Sequence, residues 1–543
     1  MIRITELALP LGHAPDALRA AILKRLGIPA ADLLDLSVFK RSYDARKKNS
    51  EISFIYILDV SVRDEARVLA RLAADRHVGP APDTSYHPVA HAPAGLQERP
   101  LIVGFGPCGL FAALLLAQMG LRPIVLERGR DVRRRTKDTW ALWRQKVLNP
   151  ESNVQFGEGG AGLFSDGKLY SQIKDPKFYG RKVMQEFVKA GAPAEILYVS
   201  KPHIGTFRLT GVVSAMREQI IALGGEVRFE SRVSDLLRED GRVAGVQLAD
   251  GTVLASRHVV LALGHSARDT FRMLHARGVF MEAKPFAIGF RIEHPQSLID
   301  RARLGKYAGH PELGAADYKL VHHARNGRAV YSFCMCPGGT VVAATSELGR
   351  LVTNGMSQYS RNERNANAGI VVGISPEQDF PGGPLAGVEL QERLEEKAFA
   401  LGGSDYCAPG QLVGDFLRQT PSTSLGKVLP SYKPGVRLGD LAEALPDYAI
   451  AAIREALPVF GRQIQGFDRD DAVLTGIETR TSSPLRITRD PVSLQSLNTC
   501  GLYPAGEGAG YAGGILSAGV DGIRVAEALA RAMLADHAGE SRT

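Results

Sequence analysis

Three glycines and one acid stand at a spacing that suits the binding of phosphate and ribose groups. Gly104, Gly106 and Gly109 form a GxGxxG pattern directly after an apolar segment, and a second apolar segment ends in Glu127, 23 residues after Gly104. In this pattern the first glycine permits a tight turn, the second lets backbone approach a pyrophosphate, and the third allows a helix to contact the sheet. An acid about 20 residues further on binds ribose hydroxyls. The spacing predicts a strand–helix–strand unit that holds a dinucleotide.

Two more residues next to these motif positions are expected to contact the dinucleotide. The helix that begins near Pro107 turns its free N–H groups and the positive end of its dipole toward the phosphates. Arg128 follows Glu127 and is the cation nearest to the predicted adenosine and pyrophosphate site. The basic run GRDVRRRTK comes next, at 129–137, and a solvated helix face accounts for most of its members.

Three segments further along the chain together favour FAD over NAD as the dinucleotide, and the first two lie at 153–169 and 259–264. The glycines of NVQFGEGGAGLFSDGKL, at 153–169, cannot pack a core, but they let backbone press against a flat ring system; a surface loop without a ligand is the alternative. The segment VVLALG, at 259–264, is typical of a buried strand that ends in a glycine turn. The predicted cofactor contacts in these segments are Gly157, Gly159, Gly160, Ala161, Gly162, Ser165, Asp166, Gly167, Lys168 and Gly264.

A third segment, GLYPAGEGAGYAGGILSAGVDG at 501–522, completes the predicted site. An apolar strand leads to Gly506 and Glu507, and a helix begins near Gly513 and Gly514. This order places a carboxylate by a ribityl hydroxyl and a helix N-terminus by the flavin N1–C2=O edge, where negative charge develops on reduction. The three segments together predict one FAD, bound non-covalently.

These motifs resemble the glutathione-reductase superfamily of FAD proteins, and in detail a bacterial family of uncharacterised FAD-dependent dehydrogenases. The matching text runs from residue 101 to 525 and includes KPHIGT, FCMCPGG, TNGMSQYSRNERNANAGIVV and ETRTSSPLRI. The superfamily usually has Asp at the position of Glu507, whose reach is one methylene longer. The resemblance implies a Rossmann-type two-dinucleotide fold and an FAD cofactor, without naming a substrate.

The predicted fold class is α/β, with a mixed α+β substrate or cap domain inserted into the dinucleotide-binding domain and a small N-terminal module. In that module the order βαββα suggests a ferredoxin-like half, and the stretch after it, rich in Pro, Ala and His, is typical of a linker. The predicted units are the module at 1–78, the linker at 79–98, the FAD-binding domain at 99–275 and 476–543, and the substrate or cap domain at 276–475.

Three residues are candidates for contact with a substrate. Arg480, in GIETRTSSP, could clamp an anionic substrate, or it could form an ion pair between domains. His203, in KPHIGT, and His265, directly after Gly264, could donate a proton, although a hydrogen-bonded structural histidine is the more ordinary interpretation of each.

Cys334 and Cys336 lie two residues apart on a predicted strand, so both thiols are expected on the same side of it. One interpretation is a thiol pair that exchanges electrons with the flavin. The pattern favours the other, in which two small apolar sulfur groups pack on a strand face.

Composition limits the remaining classes of function. Five cysteines that are odd in number and mostly far apart, an N-terminus without a signal-peptide core and a longest apolar run of only 110–117 indicate a soluble cytoplasmic protein without a membrane span. Neither a CxxC…CxxC nor an HExxH pattern is present, so no metal is expected.

The net charge of +8 suits anionic ligands. The basic turn at 40–49 lacks an RNA-recognition string, which makes a nucleic-acid partner a poor prediction.

The leading hypothesis is an FAD-dependent dehydrogenase or reductase that acts on a small organic substrate. The chain has no second GxGxxG in a strand–helix–strand context, so NAD(P)H, if it is the external electron donor, must use a shared cleft. Two alternatives stay open: a flavoprotein linked to RNA modification through residues 1–78, and a non-enzymatic flavin redox sensor. The sequence names neither the substrate nor an oligomeric state.

Overall fold

The computed structural model describes residues 1–45 and 51–540, and its N-terminal module is a ferredoxin-like α/β unit. The sheet order β2-β3-β1-β4 completes the predicted half with a fourth strand, which includes Gly79 and Pro80 from the predicted linker. Positions 46–49 of the basic turn lie outside the described residues. The elements of the module are β1 (Ile2–Pro10), α1 (Ala17–Leu26), β2 (Leu33–Asp44), β3 (Ser53–Val62), α2 (Glu65–Arg71) and β4 (Val78–Pro80).

The module is attached to the rest of the chain through the edge strand β2. The Arg41 amide donates to the Tyr198 carbonyl at 2.6 Å, and the Ser200 amide donates to the Arg41 carbonyl at 2.9 Å. The edge strand therefore has backbone partners outside its own sheet, which satisfies groups that an open edge leaves unpaired.

The first part of the dinucleotide-binding domain alternates short buried strands with helices. Its elements are β5 (Leu101–Val103), α3 (Pro107–Gln118), β6 (Ile124–Leu126), α4 (Val132–Gln145), α5 (Tyr179–Lys189), α6 (Thr206–Ala222), β7 (Glu226–Arg228), β8 (Val233–Glu239), β9 (Arg242–Leu248), β10 (Val253–Ala255), β11 (Val259–Leu261), α7 (Arg268–Ala276) and β12 (Met281–Ala283).

The middle of the chain is built around one large, mostly antiparallel sheet. Its elements are β13 (Phe286–Pro295), α8 (Gln296–Leu304), β14 (Val321–His323), β15 (Ala329–Ala343), β16 (Thr353–Ser357), β17 (Asn365–Ile374), α9 (Pro376–Asp379), α10 (Ala386–Leu401), β18 (Ala408–Leu412), α11 (Val413–Arg418), β19 (Val436–Leu438), α12 (Asp447–Gln463) and β20 (Val473–Glu478).

The sheet order is β14-β15-β17-β13-β20-β18-β19, with β16 paired to β15. The predicted domain boundary at 475/476 falls inside β20, whose whole length pairs within this sheet.

The chain then returns to the first domain through β21 (Leu485–Ile487), β22 (Leu502–Pro504) and α13 (Ile515–Glu540). The central sheet has the order β22-β11-β5-β6-β7, and every neighbouring pair is parallel. Alternate residues of its strands face opposite sides. Ile102, Val125 and Val260 pack against α3 and α13, whereas Leu101 and Leu126 pack against the sheet of β8, β9 and β10. Both faces of the parallel sheet are therefore covered, one by helices and the other by the β8–β10 sheet, as a parallel sheet requires.

Among the described helices, none combines the length and the apolar character needed to cross a bilayer.

Candidate cofactor and substrate cleft

One cleft of about 1850 Å³, open mouth included, lies at the carboxyl ends of the strands of the central sheet. The chain segments that follow β5, β6, β11 and β22 all contribute to its lining. The N-termini of α3 and α13 open onto it as well. In open α/β sheets, ligands bind in the crevice outside the carboxyl ends of the strands. This position identifies the cleft as the candidate functional site.

The three glycines of the GxGxxG pattern have different surroundings. A Cβ on Gly104, which has φ of 102°, would lie 2.3 Å from the Ala262 carbonyl oxygen, and one on Gly109 would lie 1.9 Å from the Gly104 oxygen. A Cβ on Gly106 would instead meet only the Cα of Gly160, at 3.6 Å, and Gly106 lines the cleft. The turn and the packing of the helix exclude a side chain at Gly104 and Gly109. At Gly106 the protein leaves room for a side chain, which is the arrangement expected where backbone approaches a ligand.

Glu127 fastens three segments around the cleft. One carboxylate oxygen accepts from the Phe105 amide at 2.8 Å, and the other accepts from the amides of Gly129 at 2.8 Å and Gly157 at 2.9 Å. The side chain is buried and lines the cleft next to the turn after β5. Its position agrees with a ribose contact, and its bonds hold the walls of the site together.

Arg128 also lines the cleft, but its charge is already paired. Its guanidinium donates to Glu151, with Nε 2.9 Å from Oε2, and to Asp269, with Nη1 2.8 Å from Oδ1. It also lies over the Phe156 ring, 4.1 Å from the centroid. These contacts hold the Arg128 guanidinium at the wall of the cleft. Any contact with adenosine would therefore involve the flat face of the guanidinium or the methylene groups of the side chain.

The N-terminus of α13 forms the second helix beginning in the cleft. Neither Gly513 nor Gly514 would bring a Cβ within 4 Å of protein atoms, and both line the cleft. Further along the helix, a Cβ on Gly522 would lie 2.3 Å from the Cys108 carbonyl oxygen of α3. The two helices pack closely through such small residues, which brings both N-termini to one cavity.

The loop at 153–168 is held in shape by a buried arginine of the basic run at 129–137, for most of whose members the sequence predicts a solvated helix face. Arg135 is fully buried, and its guanidinium donates to loop carbonyls. The acceptors are the oxygens of Asn153 at 2.8 Å, Val154 at 2.8 Å, Gly157 at 3.3 Å, Glu158 at 2.7 Å and Gly160 at 2.9 Å.

The position of Arg135 could have been found from helical spacing. On α4 the buried residues are Val132, Arg135, Thr139 and Leu142, which recur at the spacing of one helix face. Burial lowers the pKa of Arg135 to about 10, so it stays charged at neutral pH.

Only part of the predicted loop faces the cleft. Of the contacts predicted in this loop, those that line the cleft are Gly160, Ala161, Gly162, Ser165, Asp166 and Lys168. Gly157 serves packing instead, because its Cβ would lie 2.4 Å from Cδ of Arg135. Gly167 does likewise, since its Cβ would lie 2.7 Å from the Gly205 amide nitrogen. Gly159, with φ of 86°, also lies outside the lining.

Comparison with known proteins agrees with this geometry. A family model described as "FAD-dependent protein, C-terminal domain-like" matches residues 285–481, one described as "FAD dependent oxidoreductase" matches 190–308, and a domain of unknown function matches 1–61. A relative from Clostridium beijerinckii, named "Uncharacterized protein", is 50% identical over 528 residues, which are 97% of this chain and 98% of the relative. The chain belongs to this family of FAD-dependent oxidoreductases.

Solved structures of flavin enzymes resemble the oxidoreductase more distantly. The halogenase PltM matches 81% of this chain and 70% of its own, with a TM-score of 0.39 and 10% identity. L-proline dehydrogenase from P. horikoshii matches 80% of this chain and 94% of its own, with a TM-score of 0.34 and 13% identity.

FAD is the cofactor of the oxidoreductase, and the cleft fits it. Gly106, Gly264, Gly513 and Gly514 line the cavity, and at each of them a Cβ would point into open space or reach protein atoms only at ordinary contact distance. Two helix N-termini supply free N–H groups, which suit a pyrophosphate and a flavin edge.

Glu507 lies at the end of the cleft away from Glu127, where it faces the middle domain of the oxidoreductase. Burial is the main reason that the pKa of Glu507 rises to about 7; nearby Cys334 adds to the rise, and Lys284 opposes it. The Glu507 carboxyl is therefore expected to exchange its proton near neutral pH.

His265 lines the cleft of the oxidoreductase as a neutral imidazole. Its Nδ1 lies 3.0 Å from the Ser266 hydroxyl. Burial, reinforced by the charges of Arg480 and Arg268, lowers the pKa of His265 to about 3. If His265 transfers a proton, as the sequence suggests, the ring is therefore neutral before the transfer.

Arg480 reaches the cleft from β20 and the turn that follows it, and it is bound to Glu395 of α10. Its Nη1 also donates to the hydroxyls of Ser266 at 3.0 Å and Ser346 at 2.8 Å. The contacts match the ion-pair alternative, while a role in substrate binding stays a prediction. His203 does not line the cleft, because its Nε2 is bonded to the Tyr359 carbonyl at 2.9 Å and its ring stacks on Tyr359.

Proposed function

We propose that this FAD-dependent oxidoreductase belongs to the glutathione-reductase superfamily and transfers electrons to or from a small organic substrate bound between its two large domains. The observation that carries the proposal is the two-domain lining of the cleft. At the Glu507 end, β15 contributes Phe333 and Cys334 and β16 contributes Asn354, opposite Gly513 at the start of α13. Active sites commonly lie at such domain interfaces.

The residues of the cofactor half have separate tasks in this proposal. Gly106 and the N-terminus of α3 hold the pyrophosphate, and Glu127 holds the adenosine ribose. The N-terminus of α13, at Gly513 and Gly514, stabilises negative charge at the flavin edge. Bound FAD supplies the redox chemistry, and the protein supplies binding, orientation and control of solvent.

Lys168 is the cation best placed to meet an anionic group on the substrate. It lines the cleft, its Nζ donates to the Met335 carbonyl and it lies 3.5 Å from Oδ2 of Asp166. Asp166 is itself bound by Arg361, with Nε 2.9 Å from Oδ1. Asp166 is therefore shared by two cations, which supports a net positive charge on this wall.

The external electron donor is proposed to be NAD(P)H, which would enter the same cleft. Among the described residues, one five-stranded parallel sheet carries the dinucleotide pattern. A donor without a dedicated domain has to stack near the flavin and leave before the substrate binds. Neither a nucleic acid nor a membrane is part of this proposal.

The test is an anaerobic stopped-flow survey of the FAD-loaded protein, with NADH, NADPH and a panel of small organic acids, amines and thiols as electron donors. We expect at least one donor to bleach the flavin absorbance, with the faster reaction for donors that carry a negative charge. Lys168→Met should raise the half-saturating concentration of an anionic donor, whereas Lys201→Met, at an exposed position paired with Asp317, should not. A flavin that dithionite reduces but that every physiological donor and acceptor leaves unchanged contradicts the proposal.

A further inference from the structure

Cys334 occupies a distorted part of β15 that turns it toward the flavin half of the cleft. The pairing of β15 with β17 shifts register between Phe333 and Cys336, and Cys334 has a positive φ of 41°. Such bulges re-aim side chains next to active sites, and a non-glycine residue in this backbone region is uncommon. Strand spacing predicts two thiols on one side of the strand, and the two side chains lie close enough to interact, although the bulge gives them different exposures. Cys334 lines the cleft, whereas Cys336 is fully buried and does not.

The two thiols interact although their exposures differ. Both are free, and the Cys336 thiol donates to the Cys334 carbonyl oxygen at 3.4 Å. The Cys334 sulfur is close enough to compete for the same thiol proton. The pair thus has one sulfur that a ligand in the cleft can reach and one that only its neighbour can reach. This is the arrangement of an attacking and a resolving thiol.

Two cations border the pair. Nζ of Lys168 donates to the carbonyl of Met335, the residue between the cysteines, and Nη1 of Arg291 donates to the Cys334 carbonyl at 2.9 Å. Arg291 is fully buried and is paired with Glu478, with Nη2 3.0 Å from Oε1.

The hydrogen bond from Cys336 outweighs the effect of burial, and together with the two cations it lowers the pKa of the Cys334 thiol. The pKa of Cys336 is raised by its bond to Cys334 and by burial. Asp166, Glu478 and Glu507 are the acids that face this group. These opposite shifts favour a thiolate at Cys334 beside a thiol at Cys336, the combination from which a disulfide forms.

We propose that Cys334 and Cys336 are a dithiol–disulfide pair that exchanges two electrons with the FAD of this cleft. Closing the pair breaks the Cys336 S–H bond, forms one S–S bond, and releases one proton and two electrons. The oxidised cofactor accepts the two electrons and one proton, so the exchange balances without another reactant. The inference rests on the proposed function, because it requires a redox-active flavin in the cleft.

The first experiment counts electrons in the FAD-loaded full chain after oxidation with diamide. Anaerobic dithionite titration should take up four electrons per chain, because a disulfide and a flavin each accept two. Cys334→Ser and Cys336→Ser should each take up two. Cys500→Ser removes an exposed thiol outside the cleft and is the matched control, which should keep the uptake at four.

The second experiment reads the thiols directly. Peptide mass mapping of the oxidised protein should find residues 334 and 336 joined, with the loss of two hydrogens, and should find both thiols free after reduction. Lys168→Met should move the pH midpoint for alkylation of Cys334 upward and leave the pH profile of Cys500 alkylation unchanged.

The outcomes separate the two proposals. A wild-type uptake of two electrons, with Cys334 and Cys336 both free after oxidation, overturns the dithiol–disulfide pair and leaves the flavin chemistry standing. A flavin that no physiological donor reduces contradicts the proposed function, even where the mass map shows the disulfide.

Discussion

Arg480 and Glu395 form two parallel hydrogen bonds, with Nε 2.9 Å from Oε1 and Nη2 2.7 Å from Oε2, in a position where both side chains are buried. Glu395 holds a second arginine in the same way, because Nη2 of Arg268 lies 2.6 Å from Oε1 and Nη1 lies 2.9 Å from Oε2. Arg268 belongs to α7 of the cofactor domain, and Glu395 belongs to α10 of the middle domain. One carboxylate therefore joins the two domains at the wall of the cleft.

Glu395→Gln is expected to lower the free energy of unfolding by about 3–5 kcal/mol, because it removes the charge that two buried guanidinium groups share and leaves them only the partly exposed Glu347. Urea unfolding followed by tryptophan fluorescence measures the change. The matched control is Glu396→Gln, which removes an exposed carboxylate paired with Arg350 and should cost less than about 1 kcal/mol. Equal effects of the two substitutions would show that the network does not stabilise the domain interface.

The same network has a pH signature. Although burial raises the pKa of Glu395, the charges of Arg268 and Arg480 prevail and hold it well below its usual value of 4.5. A carboxyl whose pKa is depressed in the folded state contributes stability above its unfolded pKa and loses that contribution as the pH falls. The wild-type protein should therefore lose stability below about pH 4.5 more steeply than Glu395→Gln, as thermal melting between pH 3 and 7 would measure.

Gly106 and Gly109 should respond to alanine in opposite ways. Gly106→Ala places its Cβ no closer than 3.6 Å to the protein at a φ of −75°, so folding should be unchanged while FAD affinity falls by at least about tenfold. Gly109→Ala places its Cβ 1.9 Å from the Gly104 oxygen and should lower the stability of the apoprotein by about 1–3 kcal/mol. FAD titration by fluorescence quenching and apoprotein melting distinguish the two. A Gly106→Ala protein that binds FAD like the wild type would place the pyrophosphate elsewhere.

The sequence identifies the segments that line the cofactor half of the cleft, because the constraints on those segments are local. The GxGxxG glycines, Glu127 and the start of α13 are each set by a turn or a helix end that a short stretch of residues specifies. The parallel sheet, the ferredoxin-like module and the FAD cofactor follow from the same short-range patterns.

The part of the cleft that the middle domain forms could not be predicted in the same way. Its chemistry depends on contacts between residues that are far apart in the chain. Two of the partners of Arg480 are Ser266, in the turn after β11, and Glu395, in α10. Each of them is more than 80 residues away from Arg480 in the chain. The bulge at Cys334 depends on how β15 pairs with β17, which the alternation of residues in β15 alone does not reveal. Arg135 is an exception, because its place on the buried face of α4 is visible in helical spacing.

Arg135→Lys is expected to loosen the loop at 153–160 and to weaken FAD binding. A lysine keeps the charge but cannot donate to five carbonyl oxygens at once, so several buried acceptors lose their partners at a cost of at least about 3 kcal/mol in stability. Hydrogen exchange of the loop amides, read by mass spectrometry, should increase together with the dissociation constant for FAD. Arg133→Lys, at an exposed position on the same helix, is the control and should change neither. Unchanged exchange in Arg135→Lys would mean that the loop is held by other contacts.

Glu507 should give the apoprotein a pH dependence near neutrality that Glu507→Gln removes. Burial raises the pKa of this carboxyl to about 7 in the folded chain, against 4.5 for an ordinary glutamate. A carboxyl with a raised folded pKa contributes its full stability below the unfolded value and loses it as the pH rises through the folded value. The wild type should consequently lose stability relative to Glu507→Gln between about pH 4.5 and 7, as melting temperatures measured across pH 4 to 8.5 would report. Glu282→Gln, at an exposed position of β12, should follow the wild-type curve throughout. If Glu507→Gln follows that curve too, the carboxylate is already charged in the folded protein, and the cleft beside Cys334 is better solvated than its burial implies.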